Sequence, residues 1–177
     1  MEENKYTNWR RNDYRSKSLH MIIDGFQKSI KELERNIDKI HWYDGDWFME
    51  ESEPIYGLAF IAFQNYIIGS IADIEGTTKT KLNYYKKDKV IDGYANTTIE
   101  LITTLANYAK HRDEGLHDGT RIILDAFHLR YENVIYLDEA AIFKGLELLD
   151  ENWNLFKIKE YVTGWRESLW ATKDTII

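Results

Sequence analysis

The sequence predicts an all-α fold, a single-domain bundle of five or six helices. Apolar residues recur at steps of three and four along most of the chain. Punctuation is sparse: one proline, Pro54, and 10 scattered glycines leave too few breaks for a many-stranded protein. The chain has 177 residues, 44% of them hydrophobic and 30% charged, enough for one ordinary core. No repeat, low-complexity run or linker divides residues 1–177. Residues 1–17 are expected to form a flexible or loosely packed arm.

The first helix is expected over Ser18–His41. Leu19, Ile23, Phe26, Ile30, Leu33, Ile37 and Ile40 alternate steps of four and three, which makes a narrow stripe for a partner helix. Residues 42–53 (WYDGDWFMEESE) read as an acidic, aromatic connection with Gly45 in a turn. Ser52 or Glu53 then caps a helix with Pro54 in its first turn. That helix runs to about Ile74, is apolar nearly all round and belongs at the centre, with Gly76 ending it.

Residues 77–93 are polar and basic, and read as a long loop or a short frayed helix. A helix opens at Asn96 or Thr97 and runs to about His111, followed by an irregular stretch between Gly115 and Gly119. Thr120 is expected to cap Arg121–Leu129, and residues 131–137 (YENVIYL) to be extended. Asp138 caps a helix to about Asp150. Asn152 starts a last one, with Leu155, Ile158, Tyr161, Val162, Trp165 and Leu169 facing inward.

Composition removes several function classes. With no cysteine there is no disulfide, thiolate metal site or Cys nucleophile. No glycine-rich phosphate loop, dinucleotide fingerprint or Ser-His-Asp order is present. The net charge of −7 provides no global field for nucleic acid. The charge is uneven, however: residues 113–177 hold 13 Asp/Glu against 7 Lys/Arg, whereas residues 1–112 hold 17 against 16. Two basic groups stand out there, Arg10, Arg11, Arg15 and Lys17, and then Lys79, Lys81, Lys86, Lys87 and Lys89. No leader-like apolar segment opens the chain. Ile55–Ile74 is long enough to span a membrane but carries Gln64, Asn65 and Asp73, so it reads as a buried helix. The expectation is a cytoplasmic protein with no membrane partner.

Chemistry concentrates in one window, Asn107-Tyr-Ala-Lys110-His111-Arg112-Asp113-Glu114-Gly-Leu-His117-Asp118. Glu114-x-x-His117, repeated as Asp125-x-x-His128, has the spacing used in carboxylate-bridged di-metal bundles. The dyad His117-Asp118 is similar to that of HD-type phosphohydrolases, which also need an upstream histidine; none lies between His41 and His111. The window is equally what a solvated helix end looks like, because Lys110, His111 and Arg112 suit the negative end of a helix dipole.

An arginine, a polar residue and a histidine five positions on, late in a small all-α domain, resemble the signature of HEPN domains. Here they are Arg112-Asp-Glu-Gly-Leu-His117, and the preceding Asn107-x-x-Lys110-His111 is similar to a variant of divergent helical relatives. The resemblance implies an RNA-binding effector or a metal-independent endoribonuclease of a toxin–antitoxin or antiphage system, commonly a homodimer. It calls for no metal and no cofactor. On it, His117 is the general base or acid and Arg112 holds the phosphate. Asp113 orients one of them, while Lys110 and His111 are auxiliary contacts beside Asn107. A histidine exchanges protons near neutrality and an arginine offers fixed donors to phosphate. The lysine-rich segment interleaved with Tyr84 and Tyr85 suits substrate contact, with Lys86 and Lys87 on the backbone and the rings on bases. A second class of function rests on Trp42, Tyr43, Trp47 and Phe48 among Asp44, Asp46, Glu50, Glu51 and Glu53. Aromatic anchors in an acidic rim suit a non-catalytic interaction module, such as an antitoxin, an immunity protein or a defence-complex subunit.

Overall fold

A computed structural model describes residues 9–174. It is an all-α bundle of seven helices: α1 (Ser16–Lys39), α2 (Gly45–Glu75), α3 (Lys81–Tyr85), α4 (Thr98–His111), α5 (Asp118–Ala126), α6 (Ala141–Leu149) and α7 (Leu155–Asp174). Short 3-10 turns lie at Trp9–Arg11 and Leu137–Glu139. Among the described residues, extended pairing is limited to the isolated bridges Val90–Thr97 and Arg130–Ala140.

α2 is central and lies against α1, α4, α6 and α7. It begins earlier than Pro54, because Asp44 caps it: the Asp44 carboxylate accepts from the backbone N–H groups of Asp46 and Trp47, both at 3.1 Å. The expected connection 42–53 is therefore largely helix. Pro54 sits inside it, exposed. Its missing N–H frees only the carbonyl of Glu50, itself an exposed residue. Buried Phe48, Ser52 and Tyr56 on the flanking turns keep the inward face continuous across the break. Gly76, with φ of 72°, ends the helix by donating to the Ala72 carbonyl at 2.9 Å. α2 is long and apolar enough to cross a bilayer, and more than half of its most apolar stretch is buried within the bundle.

Along α1, Leu19, Ile23 and Ile30 are buried, Phe26 and Leu33 are partly so, and Ile37 is 43% exposed. A stripe with a 3.5-residue period drifts around a 3.6-residue helix by ~20° per heptad, so its far end leaves the core. α4 opens on a capping box: Thr97 Oγ1 accepts from the Glu100 N–H at 3.1 Å, and Glu100 accepts from the Thr97 N–H at 2.9 Å. α5 starts two residues before Thr120 and ends at a left-handed His128, φ of 56°. There the N–H of Leu129 returns to the Leu124 carbonyl at 2.9 Å. Residues 131–136 are irregular, with bends at Glu132, Asn133 and Tyr136, where an extended piece over 131–137 was expected, and Leu137 and Asp138 lie in the 3-10 turn before α6. α7 starts at Leu155, not Asn152, with Asn154 Oδ1 accepting from the Phe156 N–H at 2.9 Å. Of its expected inward residues only Tyr161 is exposed.

The described part of the expected loose arm is docked. Arg166, 1% exposed on α7, donates to the carbonyls of Arg10 and Arg11 at 2.9 and 3.1 Å. The Tyr66 hydroxyl donates to Asp13 at 2.5 Å, and Arg15 ion-pairs with buried Asp73. Residues 1–8 of that arm lie outside the described residues.

Arg166→Ala removes both hydrogen bonds to the arm together with the one to Glu167, and is expected to cost about 3 kcal/mol in urea unfolding. The same change strips hydrogen-exchange protection from residues 10–15 before the rest of the chain, and uniform loss would contradict the docking of the arm by Arg166. A second test concerns Asp88, which accepts from the Ile99 N–H at 3.3 Å at the head of α4. Burial raises its carboxyl above the ordinary range, against the lowering effect of the Lys89 and Ile99 amides. The stability it contributes is therefore present below that range and lost as pH rises through the raised value. Asp88→Asn should raise the urea midpoint at neutral pH, and the gain should vanish near about pH 3, where both forms are neutral.

Candidate functional site

The site grows from the contact between α2 and α4. Gly57 lets the helices approach: a Cβ there would lie 3.0 Å from that of Ala109. Two turns on, the buried Gln64 reaches across. Its amide nitrogen donates to the Thr103 carbonyl at 3.1 Å and to Asn107 Oδ1 at 2.9 Å. Its carbonyl oxygen accepts from Lys110 Nζ at 2.6 Å. Burial and the nearby Lys81 charge lower the Lys110 pKa. Asn107 and Lys110 thus belong to one network that fixes the last turns of α4.

On the adjoining face of α4 lies a cleft of about 470 Å³. α4 lines it with Glu100, Thr103, Thr104, Asn107 and His111, at helical spacing. α3 and its C-cap contribute Leu82, Tyr85 and Lys86, and the start of α5 contributes His117, Gly119, Thr120, Ile122 and Ile123. His117 stands immediately before α5, its carbonyl accepting from Thr120 and Arg121. Its ring meets that of His111 edge-on, with centroids 5.4 Å apart. His111 Nδ1 is 3.9 Å from the exposed Glu114 carboxylate. Tyr85 is buried, which pushes its hydroxyl up to about 12. Glu100 is committed to the α4 cap, leaving Lys86, the imidazoles and the positive end of the α5 dipole to set the character of the cleft.

The other expected residues lie elsewhere. Arg112 was expected to share a phosphate with His117, but its guanidinium ion-pairs with Glu53 of α2 and does not line the cleft. Burial acts to lower the Arg112 pKa, and Glu53 with Tyr108 outweighs it, so the net shift is upward. Asp113 is exposed, 3.8 Å from Arg112 Nε, and also outside the cleft. The basic segment is divided by the helical period. Leu82, Tyr85 and Lys86 share one side, while Tyr84 and Lys87 line a separate cavity near α7. There the Tyr84 hydroxyl donates to Glu75 and Lys87 Nζ lies 4.2 Å over the Tyr84 ring. Tyr84 and Lys87 therefore do not share the cleft with Tyr85 and Lys86, the other members of the substrate set that the sequence predicts.

Among the described residues no three His, Asp or Glu side chains gather as a metal-binding group. His128 is a helix cap facing Tyr94, at 6.1 Å between centroids, and does not meet the His111–His117 pair. Sequence reasoning missed Gln64 as an anchor, although an amide on the apolar face of a buried helix was a usable signal. It also missed Glu53 as the partner of Arg112, which no spacing announces. Family models, curated proteins and solved structures return no match to this chain.

Arg112→Ala would leave a carboxylate that is only 10% exposed without its cation. The expected cost is about 1–3 kcal/mol, less than for a fully buried pair because Arg112 is a third exposed. Glu53→Gln placed in the same chain should recover most of it. A double-mutant cycle in urea checks this, and additive losses would refute the pairing.

Proposed function

We propose that this chain is a HEPN-like domain that binds RNA and cleaves it without metal, acting as an effector of a toxin–antitoxin or antiphage system. The cleft between α3, α4 and α5 is the site. The observation that supports this most is the His111–His117 contact at 5.4 Å, in a cleft that also holds Lys86 and Asn107. Cleavage by the neighbouring 2′-hydroxyl forms a bond from that oxygen to phosphorus and breaks the bond to the 5′-oxygen. One neutral imidazole takes the 2′-hydroxyl proton, and the other, protonated, gives a proton to the departing 5′-oxygen. Two imidazoles this close serve one phosphate between them. Lys86 supplies positive charge for the phosphate oxygens, a role the sequence assigned to Arg112. Tyr85, Leu82 and Ile122 offer apolar surface for a base.

The test is cleavage of a labelled RNA in excess chelator. His111→Ala and His117→Ala should each lose at least about 100-fold in rate with the fold intact by circular dichroism. Lys86→Ala should weaken RNA binding and flatten its salt dependence by about 0.7 in log–log slope. Equal cleavage by wild type and both histidine variants would refute the catalytic roles, and an unchanged salt slope would remove Lys86.

A further inference from the structure

A second cavity, of about 550 Å³, lies where the start of α2 faces the bends before α6. The α2 side carries Asp44, Asp46 and Glu50 with Trp47 among them, and the facing segment is apolar, with Ile135 and Tyr136. No Lys or Arg lines it, nor does any described residue ion-pair with Asp46 or Glu50. The carboxylates have different standing. Asp44 is used as the α2 cap, and Asp46 suits the first turn of a helix. Glu51 accepts from the Tyr43 hydroxyl at 2.8 Å, and Glu53 holds Arg112. Glu50 has none of these tasks.

The apolar lining is bare: Ile135 is 83% exposed, Tyr136 67% and Trp47 51%. Trp42, itself exposed, packs edge-on against Trp47 with centroids 5.7 Å apart, so the platform is held in place before anything binds. Large side chains gathered in water beside carboxylates mark a contact surface rather than a random scatter. Charge decides what it contacts. Phosphates would be repelled by this surface, whereas cationic side chains would find carboxylates without competing cations.

We propose that this groove docks a basic, amphipathic segment of another protein. An apolar side chain of that segment sits on Trp47, Ile135 and Tyr136, and flanking lysines or arginines reach Asp46 and Glu50. The site is independent of the RNA cleft.

The probe is a short fluorescein-labelled peptide, acetyl-Lys-Leu-Lys-Phe-Arg-Leu-Lys-amide, with a control of equal charge in which serine replaces Leu and Phe. Binding to the full chain is followed by anisotropy. The apolar peptide should bind at least about tenfold more tightly than the serine control, the scale of one buried apolar side chain. Asp46→Lys with Glu50→Lys should abolish most binding and its salt dependence. Ile135→Ser with Tyr136→Ser should erase the preference for the apolar peptide while leaving RNA binding unchanged. All four positions are on the surface, and circular dichroism confirms the fold. Equal affinity for the two peptides would overturn the proposal, as would unchanged binding in the charge-reversed variant. Self-association of the wild type that Ile135→Ser abolishes would assign the groove to a second copy, and so overturn it too.

Discussion

A polar side chain in the middle of an apolar helix must find its hydrogen bonds inside the protein, and Gln64 finds them in α4. Both amide hydrogens and one carbonyl lone pair are engaged, by Thr103, Asn107 and Lys110. Leaving such a group unpaired costs about 1–3 kcal/mol, so the register of α4 on α2 is specified and not merely permitted. The close approach of Gly57 to Ala109 sets the spacing of the two helices, and a slip along them would leave the amide unpaired. Once Asn107 and Lys110 are held, the helical period places His111 one residue further round, toward the cleft.

The same periodicity sorts charge that is mixed along the sequence. Lys86 and Lys87 are neighbours in the chain but serve different cavities. Both follow the five-residue α3, in the turn where the Lys87 N–H returns to the Tyr84 carbonyl at 3.0 Å, and there the two side chains part to different faces. At the whole-chain level the protein is acidic, with net charge −7, yet the cleft contains a lysine and two imidazoles and the groove at α2 contains carboxylates. Salt screens exposed charges beyond about 8 Å at physiological strength, so local composition governs each surface more than the net charge does.

Much of the architecture was legible because it follows from local rules. The apolar stripe of α1, the Thr97 start of α4 and the Gly76 stop of α2 are all written within a few residues. The start of α2 was misplaced because Pro54 and the acidic run look like a boundary, and the rule that won was the Asp44 cap ten residues upstream. Residues 131–137 are rich in β-branched and aromatic side chains, but among the described residues no strand pairs with them. The site was half legible. Asn107, His111, His117, Tyr85 and Lys86 meet as proximity in the motif and segment suggested. Tertiary pairing decided the rest: Arg112 finds Glu53, 59 positions away, and no local pattern encodes a contact of that kind.

Arg112 and His117 nevertheless belong to one device. α4 ends at His111, and the chain must reverse within six residues to begin α5 at Asp118. Such a loop is placed only as well as its ends are. Arg112 fastens the first end to α2 through Glu53, and Gly115 supplies the left-handed turn, φ of 101°. His117 fastens the second, its carbonyl receiving the first amides of α5. The arginine thereby positions the histidine without touching what the histidine touches.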